Sequence, residues 1–245
     1  MKKKIISWIR EEIKASKAKG LVIGVSGGID SAVVASLACE ALGKEKVLGL
    51  ILPCESQIED IKDAKLICKR LGIRNKTVDL TPIFKALIKI LPKADKLALG
   101  NLKSRLRMLV LYYFANKLNY LVCGTSNKSE RMIGYFTKYG DGASDILPIA
   151  DLLKTQVRKL AYQLNIPEKI INKVPTAGLW PGQTDEEEIH LTYNELDDIL
   201  FRWENKKRQV LPKQKVERVK EMILRSEHKR KGPKICFIHK EAKNG

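Results

Sequence analysis

The segment from Gly24 to Ser31, with the sequence Gly-Val-Ser-Gly-Gly-Ile-Asp-Ser, contains residue types that suit phosphate binding. Gly27 and Gly28 allow a tight turn, so that several backbone N–H groups can point at one anion. Ser26 and Ser31 add hydroxyl groups, and a helix that follows the turn directs its positive N-terminal end at the same anion. We therefore predict a phosphate-binding loop.

Asp30 separates this loop from two common phosphate-binding motifs. The Walker sequence is absent, because no Gly-Lys-Ser/Thr follows the glycines, and the G-x-G-x-x-G spacing of dinucleotide-binding folds is absent too. A bare carboxylate beside the loop would repel phosphate, so Asp30 predicts a bridging Mg²⁺ ion. The alternative is that Asp30 is an ordinary N-cap of the following helix.

Alternating strands and helices place this loop at the end of a buried strand. Short apolar runs predict strands at 21–25, 47–52, 75–80 and 120–123. Helical periodicity predicts helices at 3–18, 30–42, 57–71, 154–164, 193–204 and 213–227, with a mainly helical region at 81–118 that is broken near Pro92 and Gly100. Residues 134–150 are predicted to form a loop, and residues 175–184 a connection rich in Pro and Gly. This alternation predicts an α/β fold, a doubly wound, mostly parallel, five-stranded sheet with helices on both faces.

The composition sets the class of protein. At 245 residues, of which 44% are hydrophobic and 30% charged, the chain suits one globular domain over 1–245, with a flexible, basic C-terminal tail from about residue 231. Five cysteines without a C-x-x-C pair argue against a zinc site or a redox dithiol. No stretch approaches the ~18 apolar residues of a membrane span, so we expect a cytoplasmic protein. The net charge of +18 suits either polyanion binding or a lysine-rich solvated surface, and it does not decide between them.

Further segments join the loop in a resemblance to a known family. The loop, S-G-G-x-D-S, resembles the pyrophosphate-binding loop of the N-type ATP pyrophosphatases, which have an adenine nucleotide alpha-hydrolase-like fold. Together with seven more segments in the same order, the chain from about Leu21 to Pro233 resembles the ammonia-dependent NAD synthetases. These segments are Asn101–Met108, Gly124–Glu130, Gly134–Asp145, Lys154–Val157, Lys173–Trp180, Gly182–Glu186 and Ser226–Arg230. The sequence departs from the family at His190, where glycine is common, and at Gly232-Pro233, where Pro-Pro is frequent.

The resemblance implies the residues of an active site. Asp30 and Glu130 correspond to Mg²⁺ ligands, Asp30 and Asp141 to catalytic residues, and Asp141 in particular to the residue proposed to hold ammonium and take its proton. The implied ATP contacts are Gly24, Val25, Ser26, Gly27, Gly28, Ile29, Asp30, Ser31, Thr125, Lys154 and Thr176. The implied deamido-NAD contacts are Arg105, Lys138, Asp145, His228 and Lys229. Taken alone, Glu130 and His228 would be solvated surface residues, Asp141 a turn residue, and Arg107, near Arg105, a solvated charge.

The reaction that the resemblance implies is amide formation driven by ATP. The nicotinate carboxylate of deamido-NAD attacks ATP to give an acyl adenylate and pyrophosphate, and free ammonia then displaces AMP to give NAD. Ammonia is expected because a glutaminase would need a further domain, and a homodimer that buries helices such as 101–118 is expected from the family. Two alternatives stay open: a tRNA-modifying ATP pyrophosphatase, and a nucleotide-binding α/β protein without catalysis. Binding to nucleic acid or to a membrane is not expected.

Overall fold

The computed structural model describes residues 1–236 and residue 238, and within these residues a sheet of four parallel strands forms the centre. The strands are β1 (Leu21–Gly24), β2 (Val47–Ile51), β3 (Arg74–Thr77) and β4 (Leu121–Val122), in the order β3-β2-β1-β4. The chain passes from β1 outward through β2 and β3, and then returns to the other side of β1 as β4. The carboxyl end of β1 therefore lies where the strand order reverses, which is where open α/β sheets bind ligands.

The predicted α/β class and parallel topology are confirmed, but the predicted count of five strands is wrong for the described residues. After β4 the chain makes one further parallel bridge, between Cys123 and Ile146. The Gly124 N–H donates to the Ile146 carbonyl at 2.9 Å. Pro148, two residues later, has no N–H to donate, so the ladder does not extend into a fifth strand.

Helices cover both faces of the sheet. The twelve helices of the described residues, α1 to α12 in chain order, are Lys2–Ser16, Ile29–Leu42, Ile58–Leu71, Thr81–Ile90, Lys96–Leu118, Lys128–Ile133, Lys154–Gln163, Glu168–Ile171, Asp185–Ile189, Tyr193–Glu204, Lys213–Arg225 and Glu227–Arg230; a 3-10 turn, Lys44–Lys46, precedes β2. One core joins α1, α2, α3, α7 and α8, and a second joins α4 and α5. Leu21 and Ile23 of β1 belong to the first core and Val22 to the second, because successive side chains of a strand point to opposite faces.

A third core forms beside the carboxyl edge of the sheet. It packs α6, which begins shortly after β4, against α10 and α11, and it buries Ile133, Leu196 and Val219. The short helices α6, α8, α9 and α12 have no counterpart among the predicted elements. They contain between four and six residues each, too few for a helical repeat to stand out in a sequence.

The helical region 81–118 breaks near Pro92 as predicted, but it does not break at Gly100. α5 begins after Asp95, whose carboxylate accepts a hydrogen bond from the Ala98 N–H at 2.7 Å. It then continues through Gly100, where a Cβ atom would lie only 3.1–3.2 Å from the side chains of Leu179 and Trp180. The glycine therefore makes room for a neighbouring segment and does not end the helix.

The basic C-terminal end was predicted to be a tail from about residue 231. Residues 231–236 form neither helix nor strand, while residue 237 and residues 239–245 lie outside the described residues. The single domain over 1–245 stays a prediction. In the part of the chain that the structure describes, no helix combines the length and the apolar character needed to cross a membrane.

Candidate active site

The phosphate loop predicted from the sequence is a turn held by its own hydroxyl groups. Ser31 Oγ donates to the Gly28 carbonyl at 3.0 Å and accepts from the Ser26 N–H at 3.2 Å, while Ser26 Oγ accepts from the Gly28 N–H at 3.2 Å. The Val25 N–H donates to the Leu50 carbonyl at 2.8 Å, which joins the start of the loop to β2. Contacts between near neighbours in the sequence therefore set most of the shape of this loop.

Gly27 occupies a position that only glycine fits. Its φ is +83°, in the left-handed region, and a Cβ atom would lie 2.4 Å from the backbone oxygen of Asp60 in α3. The following residue, Gly28, is the N-cap of α2 and has an extended backbone. Asp30 therefore lies in the first turn of α2, and the alternative interpretation of Asp30 as the N-cap is wrong.

Asp30, Glu130 and Lys154 form a buried ionic cluster beside the loop. The Lys154 Nζ lies 2.5 Å from Asp30 Oδ2 and 3.0 Å from Glu130 Oε1. Asn127 connects the two acids, because its Nδ2 donates to Asp30 Oδ1 at 3.0 Å and its backbone N–H donates to Glu130 Oε2 at 3.3 Å. Residues from α2, α6 and α7 thus meet at one point, as the resemblance implied for the two acids.

Burial controls the electrostatics of this cluster. It raises the pKa of Glu130 to about 7, an effect that Lys154 opposes and Asp30 reinforces. Burial alone would lower the pKa of Lys154, but the carboxylates of Asp30 and Glu130 outweigh it and hold that pKa above its usual value. Lys154 therefore stays charged, and with both acids ionised the three side chains carry a net negative charge that attracts a cation.

Asp30 and Glu130 could hold a divalent cation together with phosphate oxygens. Both carboxylates contact the same Lys154 nitrogen, so the two acids lie close to each other. Within the described residues, no group of three or more His, Cys, Asp or Glu side chains has the arrangement of a metal site. Two carboxylates suit Mg²⁺, which is commonly held by one or two protein acids and the phosphates of a substrate. The donors present therefore fit an ion that is bound jointly with a nucleotide.

Tyr193 and Asp185 extend the cluster, although sequence reasoning assigned them no role. The Tyr193 hydroxyl lies 2.8 Å from Asp185 Oδ2 and 3.3 Å from Glu130 Oε1, and the Tyr193 ring centroid lies 4.9 Å from the Lys154 Nζ. Asp185 is 4% exposed, and its Oδ1 has no hydrogen-bond partner in the described part of the chain. Asp185 at least stands in a segment that carries the resemblance, whereas no sequence signal points to Tyr193.

The loop and the ionic cluster line one cavity of about 530 Å³, a volume typical of ligand pockets. Thr125 and Thr176, two further residues implied to contact ATP, line the same cavity, as do Asp141 and Lys229. Of the loop residues implied to contact ATP, only Gly27 is absent from the lining, because it packs against α3. The implied ATP site is therefore brought together in space.

Asp141 is anchored at the wall of this cavity. Its Oδ1 accepts hydrogen bonds from Ser104 Oγ at 2.7 Å and from the Thr137 N–H at 2.9 Å. Lys229 Nζ donates to the carbonyl of Phe136 at 2.8 Å, and burial lowers the pKa of Lys229 although Asp141 opposes this effect. Asp141 is thus an exposed turn residue, as its flanking glycines suggested, and its carboxylate is held by two hydrogen bonds at the edge of the cavity.

The remaining residues implied to contact deamido-NAD lie outside the cavity. Arg105 is exposed and donates to the Lys138 carbonyl at 3.3 Å, and Lys138 Nζ donates to the His228 carbonyl at 2.6 Å. Asp145 accepts from the Val122 N–H at 2.7 Å and so caps the end of β4. The structure therefore connects Arg105, Lys138 and His228 at the surface and leaves Asp145 apart from them.

Arg107 is not the solvated charge that the sequence suggested. Its Nε donates to the Leu52 carbonyl at 3.1 Å, and its Nη2 donates to Ser56 Oγ at 3.3 Å. Burial lowers the pKa of Arg107, and the side chain lines the cavity. Arg107 therefore holds the turn after β2 against α5. The periodicity of α5 could not reveal this role, because the partners lie in another element.

Comparison with known proteins decides the family. The family model described as NAD synthase matches residues 1–233. The chain belongs to the NAD synthase family. It is 49% identical over 239 residues to the NH(3)-dependent NAD(+) synthetase of Pyrococcus horikoshii, with 94% of this chain and 93% of that protein covered. It is 48% identical over 244 residues to the enzyme of the same name from Thermococcus sibiricus, with 95% and 96% covered.

Solved structures agree with this assignment. The NMN synthetase of Francisella tularensis superposes with a TM-score of 0.89 at 41% identity, covering 96% of both chains. The NH3-dependent NAD synthetase of Campylobacter jejuni, solved in complex with the nitrate ion, superposes with a TM-score of 0.84 at 33% identity, covering 96% of this chain and 97% of that one. Membership of this family confirms the predicted enzyme class, a carbon–nitrogen ligase. It also sets aside the tRNA-modifying and non-catalytic alternatives.

Proposed function

We propose that this NAD synthase family member amidates deamido-NAD with free ammonia, using ATP and releasing AMP and pyrophosphate. The observation that carries the proposal is the cluster of Asp30, Glu130 and Lys154 beside the phosphate loop in one cavity. Relatives that share nearly half of its residues over nearly their whole length are named as NH(3)-dependent NAD(+) synthetases. The cluster provides the acids for a metal ion and the cation for phosphate that this reaction requires.

ATP lies with its β- and γ-phosphates at the loop. The backbone N–H groups around Ser26–Gly28 and the N-terminus of α2 receive these phosphates, which become the leaving pyrophosphate. Lys154 adds a positive charge, and Thr125 and Thr176 contact the nucleotide. Asp30 and Glu130 would hold Mg²⁺, which would offset the negative charge that develops on the leaving group.

The activated acid forms and reacts within the cavity. A carboxylate oxygen of the nicotinate attacks the α-phosphorus, the bond from that phosphorus to the bridging oxygen breaks, and pyrophosphate departs. Ammonia then attacks the carbonyl carbon, the bond from that carbon to the AMP oxygen breaks, and the attacking nitrogen loses one proton to the departing AMP to leave the amide. Asp141, fixed by Ser104 and Thr137, binds ammonium and accepts its proton. The surrounding walls keep water away from the acyl adenylate.

The residues Arg105, Lys138 and Lys229, together with His228 and Asp145, are proposed to bind deamido-NAD. This substrate carries a diphosphate and a carboxylate, so cations suit it. The backbone contacts that link Arg105, Lys138 and His228 keep these side chains along one part of the surface.

A second candidate substrate is nicotinate mononucleotide. The observation that favours it is the high similarity to a solved NMN synthetase, at 41% identity and a TM-score of 0.89. The chemistry at the carboxylate and at ATP is the same for both substrates. The two differ only in the adenylyl half of the dinucleotide.

We also propose that the protein is a homodimer that acts in the cytoplasm. α5 carries Leu97, Leu109 and Tyr113 with exposed fractions of 58%, 59% and 61%, and such apolar side chains on one helix suit an interface with a second copy.

The proposed location in the cytoplasm agrees with the state of the cysteines. All five cysteines are free, which suits a reducing compartment.

The direct test supplies the protein with ATP, Mg²⁺ and ammonium chloride, together with either deamido-NAD or nicotinate mononucleotide. We expect one equivalent of AMP for each NAD formed, and a higher kcat/KM with deamido-NAD than with the mononucleotide. The double variant Asp30→Asn/Glu130→Gln serves as the inactive control. A folded protein that releases AMP but forms no amide from either acid would contradict the proposal, and a reversed substrate preference would select the second candidate.

A further inference from the structure

Lys103 is a buried lysine for which the proposed reaction has no use. Its side chain is 8% exposed, and its Nζ lies 2.8 Å from Glu55 Oε2 and 3.0 Å from the Leu179 carbonyl oxygen. The same nitrogen lies 4.9 Å from the centroid of the Phe84 ring. Lys103 therefore contacts two segments that are more than 100 residues apart in the sequence.

Both of these segments border the nucleotide cavity. Glu55 belongs to the turn between β2 and α3, of which Leu52, Pro53 and Ser56 line the cavity. Leu179 belongs to residues 173–184, which we call the strap, and Pro175–Trp180 of the strap line the cavity from another side. Lys103 thus joins two walls of the cavity at a single nitrogen atom.

The strap packs on one face of α5. The Lys96 Nζ lies 5.1 Å from the centroid of the Trp180 ring, and Gly100 leaves room for Leu179 and Trp180. Spacings of four and three residues place Lys96, Gly100 and Lys103 along one side of the helix. Among these contacts, Lys103 supplies the only hydrogen bond from α5 to the backbone of the strap in the described residues.

The β2–α3 turn also depends on contacts from outside itself. Glu55 has a φ of 54°, which is uncommon for a residue other than glycine. Its N–H donates to Thr81 Oγ1 at 3.0 Å, and its carboxylate pairs with Lys103. Loss of the lysine would leave the Glu55 carboxylate without this pair and the Leu179 carbonyl without its donor.

We propose that Lys103 is a positioning residue that holds the strap against the β2–α3 turn and so closes the cavity around the nucleotide. An ammonium group suits this role, because it can donate to a carboxylate and a carbonyl at the same time. The inference rests on the proposed function only for the identity of the nucleotide, since the position of the strap can be measured without turnover.

The test compares Lys103→Met, Lys103→Arg and Lys89→Met, the last being an exposed lysine on α4. In Lys103→Met we expect the rate of backbone hydrogen exchange in the strap and the KM for ATP each to rise about tenfold. This is the scale expected when one hydrogen bond from a charged group is lost. The kcat should fall less than the KM rises. Lys103→Arg should restore part of the protection, and Lys89→Met should match the unchanged protein.

Gly100→Ala also tests how the strap packs on α5, by adding an atom to the contact surface instead of removing a hydrogen bond. The added Cβ atom would lie 3.1–3.2 Å from strap side chains, so strap exchange should rise, while alanine favours the helix and the thermal midpoint should not fall. Unchanged strap exchange in both Lys103→Met and Gly100→Ala would overturn the proposal, as would a rise that is uniform across β1, α5 and the strap. Failure of the proposed function would instead appear as absent NAD formation in the unchanged protein, with strap exchange still measurable.

Discussion

Lys154 shares one ammonium group between two buried carboxylates, so we expect this residue to affect both the stability of the fold and the proposed reaction. With the lysine present, Asp30 and Glu130 are paired and hydrogen-bonded. Without it, two acids would remain at a site that already raises the pKa of Glu130 to about 7. We therefore expect the same three side chains to contribute to folding stability and to the proposed catalysis.

We expect Lys154→Met to lower the free energy of unfolding by about 3–5 kcal/mol, because removal of one partner leaves buried charge uncompensated. The measurement is urea unfolding without nucleotide or metal. The matched control is the triple variant Asp30→Asn/Glu130→Gln/Lys154→Met, which removes all three charges. It should regain most of the lost stability but remain inactive. A single variant as stable as the unchanged protein would show that the pairing contributes little.

The position of the predicted phosphate loop depends on its close contact with α3. Gly27→Ala should shift the loop, since the new Cβ atom would lie 2.4 Å from the Asp60 backbone oxygen. We expect kcat/KM for ATP to fall about 100-fold, the scale that follows from a displacement of about 1 Å in an active site. Steady-state kinetics at saturating ammonium and deamido-NAD provide the measurement.

Gly43→Ala is the control for Gly27→Ala. Gly43 has the same φ of +83°, but no atom lies within 4 Å of a Cβ built on it. Backbone strain is therefore common to both variants, and only Gly27→Ala adds the clash with α3. Equal losses of activity in the two variants would mean that strain, and not packing on α3, accounts for the effect.

Ion pairs at Asp63 join α3 to the start of the strap. One partner is Lys169, shortly before the strap, and the other is Lys173, its first residue. Lys169 Nζ lies 2.5 Å from Asp63 Oδ1, and Lys173 Nζ lies 2.8 Å from Asp63 Oδ2. Burial alone would raise the pKa of Asp63, but the two lysines outweigh it and lower that pKa below 3.8. The stabilisation is therefore present above about pH 3.8 and is lost as the pH falls through the lower, folded-state value.

Because the pKa of Asp63 is lowered in the folded protein, we predict that the effect of Asp63→Asn on stability depends on pH. The difference in unfolding free energy between the unchanged protein and the variant should be largest near neutral pH and should shrink below about pH 3.8. Urea unfolding at a series of pH values between neutral and acidic measures it. A difference that grows on acidification would contradict the assigned direction of the shift.

At the scale of the whole molecule, the exposed apolar side chains of α5 predict how two copies associate. We expect Leu109→Arg/Tyr113→Arg to convert the proposed dimer into monomers, because charges at the centre of an apolar interface lose hydration without gaining partners. Size-exclusion chromatography with light scattering measures the mass. Ile58→Arg is the control, since Ile58 is apolar and 69% exposed but lies on α3. A double variant that keeps the mass of a dimer would place the interface elsewhere.

The sequence by itself determined the features that depend on near neighbours. Ser26, Gly27, Gly28 and Ser31 lie close together in the sequence, so their residue types were enough to predict the tight turn between β1 and α2; its binding of phosphate stays a prediction. The continuous apolar run at 21–25 was enough to predict a strand buried on both faces, because such runs have no solvated side. Joined to the order of the later segments, these local features also indicated the family.

Only the tertiary structure decided which distant residues meet. Lys154 and Asp30 are 124 positions apart, and no local pattern contains the distance between them. Arg107 lines the cavity, and Gly100 leaves room for the strap. Both roles depend on the segments that pack against α5, and helical periodicity does not reveal these segments. Tyr193 joined Glu130 and Asp185 for the same reason. A side chain's surroundings are set by packing between elements, and packing is fixed only when the whole chain has folded.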